Sequence, residues 1–174
     1  MQTLSPASVA PASSTFTFRE PGVSDGNAIH QLVGLCPPLD LNSGYAYLLL
    51  CVHHAQSCVI AEHPQGIAGF VSAYRLPAKP DVVFIWQVAV APHARGQGLA
   101  LQMLKHLLKR PALTGWRWVE TTVTPSNLAS KRVFESLAAD LSAGCEERMF
   151  FSKEDFHDQR HEPEVLMRIG PCVA

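Results

Sequence analysis

A chain of 174 residues, 47% hydrophobic and 17% charged, has the make-up of one globular domain with a buried core rather than of a disordered segment. Its formal net charge of -1 gives no electrostatic case for a nucleic acid or an anionic membrane as partner. No uninterrupted apolar stretch is long enough to span a bilayer, so no membrane-spanning helix is expected.

Met1 to Thr15 is rich in Ser, Ala and Pro and lacks the basic start and compact apolar run of a secretory signal. It reads as a disordered tail, 1–15, ahead of one domain, 16–174. Phe16-Thr17-Phe18-Arg19-Glu20 reads as a first strand. Ser24 and Asp25 are helix-capping types, and Ile29, Leu32 and Val33 recur at helical spacing, so a helix is predicted that stops before Pro37-Pro38. Asn42 or Ser43 caps a second helix carrying Tyr45, Leu48, Leu49 and Val52. Cys58 to Ala61 and Ile67 to Tyr74 form a hairpin about the turn His63-Pro64-Gln65-Gly66, and Leu76 to Asp81, with two prolines, reads as a loop. Val82 to Val90, β-branched, aromatic and nearly all apolar, is predicted as a central strand. Leu99, Met103, Leu104, Leu107 and Leu108 mark an amphipathic helix that Pro111 ends. Trp116 to Thr124 is a strand, Asn127 to Leu141 a helix burying Val133, Phe134, Leu137 and Ala138, and Arg148 to Phe151 and Val165 to Ile169 are closing strands. Five cysteines, Cys36, Cys51, Cys58, Cys145 and Cys172, form no C-x-x-C pair. They read as reduced, mostly buried thiols of a cytoplasmic protein, with neither a disulfide framework nor a zinc site.

Chemistry enters at Arg95-Gly96-Gln97-Gly98-Leu99-Ala100, which joins the buried strand to the amphipathic helix. Two glycines let the backbone approach a ligand, and the helix start offers free N–H groups and a positive dipole end. An anionic pyrophosphate suits such a turn. The dinucleotide fingerprint fails, because its third glycine would fall on Leu101. Arg-x-x-Gly-x-Ala after a fourth strand resembles the acyl-CoA signature of the GNAT acetyltransferase superfamily. The resemblance implies a GNAT acyl-CoA N-acyltransferase fold, an α/β (α+β) architecture with a central mixed sheet flanked by helices. It implies acetyl-CoA as co-substrate, no metal, and cofactor contacts from Val88, Val90, Arg95, Gly96, Gly98, Leu99, Ala100 and Asn127. Asn127 and Ser130 also match the family's second motif. Phe134 stands where that family usually carries the Tyr that protonates the departing CoA thiolate.

Pro38-Leu39-Asp40-Leu41-Asn42-Ser43 with Tyr45 and Tyr47, Trp86-Gln87-Val88-Ala89-Val90, Glu120-Thr121-Thr122-Val123-Thr124-Pro125-Ser126-Asn127 and Arg168-Ile169-Gly170-Pro171 resemble the L-2,4-diaminobutyrate acetyltransferases of ectoine biosynthesis. That resemblance runs from Phe16 to Pro171. It implies acetyl transfer to the 4-amino group of diaminobutyrate in a cytoplasmic homodimer. Acetyl transfer to another small amine, and an acetyl-CoA sensor without turnover, are the alternatives.

An alkylammonium with a pKa near ~10 must lose a proton before it attacks a thioester, and the oxyanion that forms suits backbone N–H groups; the GNAT resemblance implies a strand amide, at Val88, as that donor. A substrate with two ammonium groups calls for carboxylates. Glu120 shares a strand face with Trp118, Thr122 and Thr124 and is the first acidic candidate, with a plain ion pair to Arg117 or Arg148 as the bland alternative. Asp40 is placed to bind an ammonium, and Tyr45 to orient the amine or protonate the thiolate; a helix-entry turn and a packed aromatic fit them equally. Trp86 is placed with Phe84 and Val88, either as core or as an aromatic wall for a cation. His161 and Glu162, with Glu164, lie in a polar segment suited to closing the acceptor side, with a solvated loop the plainer account for at least one of them. His53 and His54 are adjacent on a helix, face different ways and read as surface or packing residues.

Overall fold

The computed structural model describes residues 16–157 and 161–172; the tail expected at 1–15 lies outside the described residues. One mixed sheet of seven strands runs in the order β1-β2-β3-β4-β5-β7-β6. The strands are β1 Thr17–Arg19, β2 Cys58–His63, β3 Gly66–Leu76, β4 Lys79–Val90, β5 Trp118–Val123, β6 Cys145–Phe151 and β7 Glu164–Ile169. Among the described residues β4 and β5 are the one parallel pair. The helix between them, α3 Leu99–Leu108, makes the crossover a parallel pair requires.

Two apolar clusters lie on opposite faces of the sheet. On one face α3 and α4 Leu128–Asp140 cover Val83, Ile85 and Val119; on the other α1 Gly26–Gly34 and α2 Gly44–His53 cover Ile60, Phe70 and Ala89. Leu99, Met103, Leu104, Leu107 and Leu108 are all buried, as their spacing requires. Each such side chain contributes about 1.5–3 kcal/mol on burial. Ser43 caps α2, its hydroxyl accepting from the Ala46 N–H at 3.3 Å. Asp25, expected as a cap for α1, is committed elsewhere: its carboxylate accepts two hydrogen bonds from the Arg19 guanidinium and one from the Gly22 N–H.

Three differences from expectation bear on the site and its sheet. β6 begins at Cys145, three residues early, because β7 offers its whole length as a ladder partner. The loop expected over Leu76 to Asp81 shrinks to Pro77 and Ala78. Pro80 is tolerated in β4 because the β5 ladder starts only at Val82, and Arg75 donates to the Pro80, Ala112 and Thr114 carbonyls across that end. The third difference shapes the site. Ser72 pairs with Gln87 and Ala73 with Ile85, so Trp86 is an extra residue, a β-bulge in β4. Parity reverses there. Val83 and Ile85 pack with the α3–α4 cluster before the bulge, and Val88 and Val90 pack with the same cluster after it. Trp86 therefore does not share its face with Val88, and it is 42% exposed rather than core.

Candidate active site

β4 and β5 pair only from Val82–Trp118 to Ile85–Thr121. Beyond that point they part, and two connected cavities open in the wedge. The larger, about 480 Å³, is lined by Val88 and Val90 of β4, by Arg95, Gly96, Gly98, Leu99 and Ala100, and by Asn127, Ser130 and Phe134 of the α4 end. The smaller, about 190 Å³, is lined by Asp40, Asn42, Trp86, Gln87, Thr121, Thr122, Thr124, His161 and Glu164. It lies below the ~300 Å³ of common drug-sized pockets and suits a small acceptor. Pro38, Leu39, Val88, Asn127, Ser130 and Phe134 line both and form the passage between them.

Every residue expected to hold the cofactor lies on the larger cavity. Gly96 has φ +74 and Gly98, the residue before α3, φ +68, both in the left-handed region. A Cβ at Gly96 would meet nothing within 4 Å, so the turn is an open cradle. The N–H groups of the first turn of α3 have no partner within the helix and face this cradle's end of the chain. The residues present thus fit a pyrophosphate, and the apolar β4 wall fits an acyl-pantetheine arm. Arg95 serves as a brace: its guanidinium donates to the Val90 carbonyl at 3.2 Å and the Leu35 carbonyl at 3.1 Å, tying the turn to the end of α1. Asn127 caps α4, accepting from the Ser130 N–H at 3.1 Å.

The acceptor candidates divide. Asp40, Trp86 and His161 meet on the smaller cavity. The His161 ring lies against Phe156, 3.9 Å between centroids; Nδ1 donates to the Glu162 carbonyl at 2.6 Å, and Nε2 is 3.3 Å from the Asp40 carboxylate. The Glu162 carbonyl, with help from Asp40, raises the His161 pKa and favours the imidazolium. Glu164, which the sequence marked only as part of a polar segment, lines the same cavity. Burial pushes its carboxyl above the usual carboxylate range, and a hydrogen bond from Thr122 and the charge of His161 offset this only in part.

Three expected site residues are not brought there. Glu120 is 4% exposed and lies on the face alternation assigned to it, but inside the zipped part of the sheet, opposite Phe84 and Arg168. Its Oε1 is 3.1 Å from Arg168 Nη1 without hydrogen-bond alignment, and that guanidinium stacks 4.0 Å over the Trp118 ring. The partner is Arg168, neither Arg117 nor Arg148. Glu162 is spent on Ser126, accepting from its N–H at 3.1 Å and from its hydroxyl, which latches the segment to the start of α4. Tyr45 is 69% exposed on the outer face of α2, outside both cavities.

Among the described residues no group of three or more His, Cys, Asp or Glu is placed to hold a metal, and no helix is long and apolar enough to cross a membrane. Cys36, Cys51, Cys58 and Cys172 are buried and Cys145 is exposed, all free.

A family model described as the Acetyltransferase (GNAT) family matches residues 27–139. The L-2,4-diaminobutyric acid acetyltransferase of Bordetella parapertussis is 55% identical over 157 residues, 90% of this chain and 84% of that one. That of Halomonas elongata is 43% identical over 166 residues, 95% and 86% of the two chains. The solved diaminobutyrate acetyltransferase of Paenibacillus lautus, in complex with L-2,4-diaminobutyric acid and coenzyme A, is 41% identical and superposes with a TM-score of 0.90, covering 93% of this chain and 98% of that one. With a fold, a cofactor turn and relatives that agree, the chain belongs to the acetyltransferase (GNAT) family and, within it, to the L-2,4-diaminobutyric acid acetyltransferases.

Proposed function

We propose that the chain transfers the acetyl group of acetyl-CoA to the 4-amino group of L-2,4-diaminobutyrate, giving the N4-acetyl product that leads to ectoine. One observation carries this reading: a small cavity holding two carboxylates, Asp40 and Glu164, beside an exposed indole opens directly onto a cavity with a pyrophosphate turn. Two carboxylates match two ammonium groups, and Trp86 adds a cation–π wall. Glu164, whose carboxyl burial pushes above the usual carboxylate range, is the base on this cavity that takes up the proton of the 4-ammonium. The freed amine attacks the thioester carbonyl at the passage, the oxyanion faces the Val88 N–H on the parted edge of β4, and the C–S bond breaks.

The departing sulfur needs no acid at this site. A thiol with a pKa of about 8.5 leaves readily as its thiolate. Phe134, which lines the passage, has no proton to give. Phe134→Tyr is therefore expected to leave turnover within a few-fold, measured as thiol release at saturating substrates. A large gain would mean that the native site lacks an acid it needs.

The reading includes a homodimer in the cytoplasm. It is supported by the outer face of α2, where Tyr45, Leu48, Leu49 and Val52 line up at helical spacing beside Leu41, all exposed and apolar, a stripe that a second copy covers. Tyr45 belongs to this stripe.

The test is thiol release from acetyl-CoA with diaminobutyrate and with a panel of polyamines and aminoglycosides, the product's acetylated nitrogen located by NMR. Release with diaminobutyrate and acetylation at N4 are expected. Turnover confined to another amine gives that amine the site, and acetyl-CoA binding without release makes the protein a sensor.

A further inference from the structure

The segment from Leu35 to Asn42 roofs both cavities: Cys36, Pro37, Pro38 and Leu39 line the larger, and Pro38, Leu39, Asp40 and Asn42 the smaller. It contains no helix or strand, yet it carries Asp40. Such a strap holds a carboxylate in place only if its backbone is tied down. At the cofactor end Arg95 donates to the Leu35 carbonyl, and the Cys36 thiol donates to the Val90 carbonyl at 3.4 Å. At the acceptor end the tie is a buried relay. The Asn42 N–H donates to Tyr47 Oη at 3.4 Å, the Tyr47 hydroxyl donates to Gln87 Oε1 at 3.2 Å, and Gln87 Nε2 donates to the Asp40 carbonyl at 2.7 Å.

The members of this relay are unusual for their surroundings. Tyr47 is completely buried in the α1–α2 cluster, and its hydroxyl is placed there only to meet Gln87 and Asn42. Gln87, 4% exposed, follows the bulged Trp86, and the bulge turns its amide toward α2 instead of the α3 side. An amide and a phenol taken out of water cost stability unless each finds partners, and here each does, on the strap. A core of apolar residues would be simpler to build.

We infer that Gln87 and Tyr47 are positioning residues that fix the Asp40 carboxylate against the acceptor through the backbone of the strap, and so set the affinity for the diamine. Neither needs to touch the substrate. The inference rests on the proposed acceptor reading, and its test separates the two. Gln87→Met keeps the length of the side chain and removes both bonds; Tyr47→Phe removes one oxygen from a residue that lines neither cavity. Amide exchange over residues 39–42 of the free enzyme is expected to accelerate about tenfold in either variant, the size of one net hydrogen bond. KM for diaminobutyrate is expected to rise about tenfold in each, with kcat within about threefold and acetyl-CoA affinity in calorimetry unchanged. The double variant is expected to exceed either single one by less than the product of the two effects, since the substitutions share the Tyr47–Gln87 bond and each breaks one further bond of its own. Unchanged exchange overturns the relay, as does a fall in kcat at constant KM or an effect that multiplies in the double variant. If Gln87→Met does not fold, Tyr47→Phe carries the test alone. A wild type inert toward diaminobutyrate overturns the substrate reading, while the exchange measurement still decides the relay.

Discussion

Gly98→Val abolishes acetyl-CoA binding in calorimetry while circular dichroism remains that of the native fold. Gly98 sits at φ +68 as the residue entering α3, and its nearest neighbour for an added Cβ is the Gln102 amide nitrogen at 3.9 Å. The wild-type turn therefore has room for a Cβ; what a valine lacks is the backbone conformation. A β-branched residue held left-handed costs on the order of 1–3 kcal/mol, and the cheapest relief is for the turn to swing to a negative φ. That movement takes the N–H groups of Gly96 to Leu99 away from a common centre. Ligand affinity falls with every donor that loses its aim, so the expected loss exceeds a hundredfold. α3 itself is held by five buried side chains on the far side of the turn and survives. Unchanged affinity in a folded variant would overturn the placement of the pyrophosphate.

Glu164→Gln lowers kcat/KM for diaminobutyrate by about a hundredfold or more, the usual worth of a positioned base, and leaves acetyl-CoA affinity as it was. The same substitution raises the Tm of the free enzyme near neutral pH. The sign follows from the raised pKa of Glu164. The folded protein binds this proton more tightly than the unfolded chain, so the stabilising contribution is present below the ordinary value of 4.5 and is lost as pH rises through the higher folded value. A neutral glutamine removes that cost. For the same reason the acid limb of kcat/KM in the wild type lies above 4.5 and disappears with the carboxylate. Glu120→Gln is the control: it frees Arg168 from its partner, so Tm falls by a few degrees while KM stays put. If Glu120→Gln instead raises KM and Glu164→Gln does nothing, the roles of the two carboxylates are exchanged.

The local patterns were readable in advance, and the site's depth was not. The five apolar positions of α3 and the glycine turn before it are short-range signals, and each appears where its spacing places it. Alternation also assigned Glu120 and Thr122 to one face of β5. Which of them reaches a cavity depends on where the ladder with β4 stops, between Thr121 and Thr122, a fact of pairing between segments more than thirty residues apart. Glu162 and Glu164 sit two residues apart in one polar stretch. Only the fold shows that the first meets Ser126 and the second Thr122. The bulge at Trp86 has no marker of its own, because an apolar strand reads alike with or without an extra residue.

From Gln87 to Val90 the wall of the cofactor cavity is specified by counting, since one residue inserted in β4 decides which side chains look inward. Substitutions along this stretch change the wall one residue at a time. A deletion at Trp86 would exchange inside for outside over the whole stretch at once, sending Val88 and Val90 toward α1 and Gln87 and Ala89 into the cavity. Point substitutions therefore reshape this wall gradually, whereas a change of length at Trp86 rebuilds it in one step.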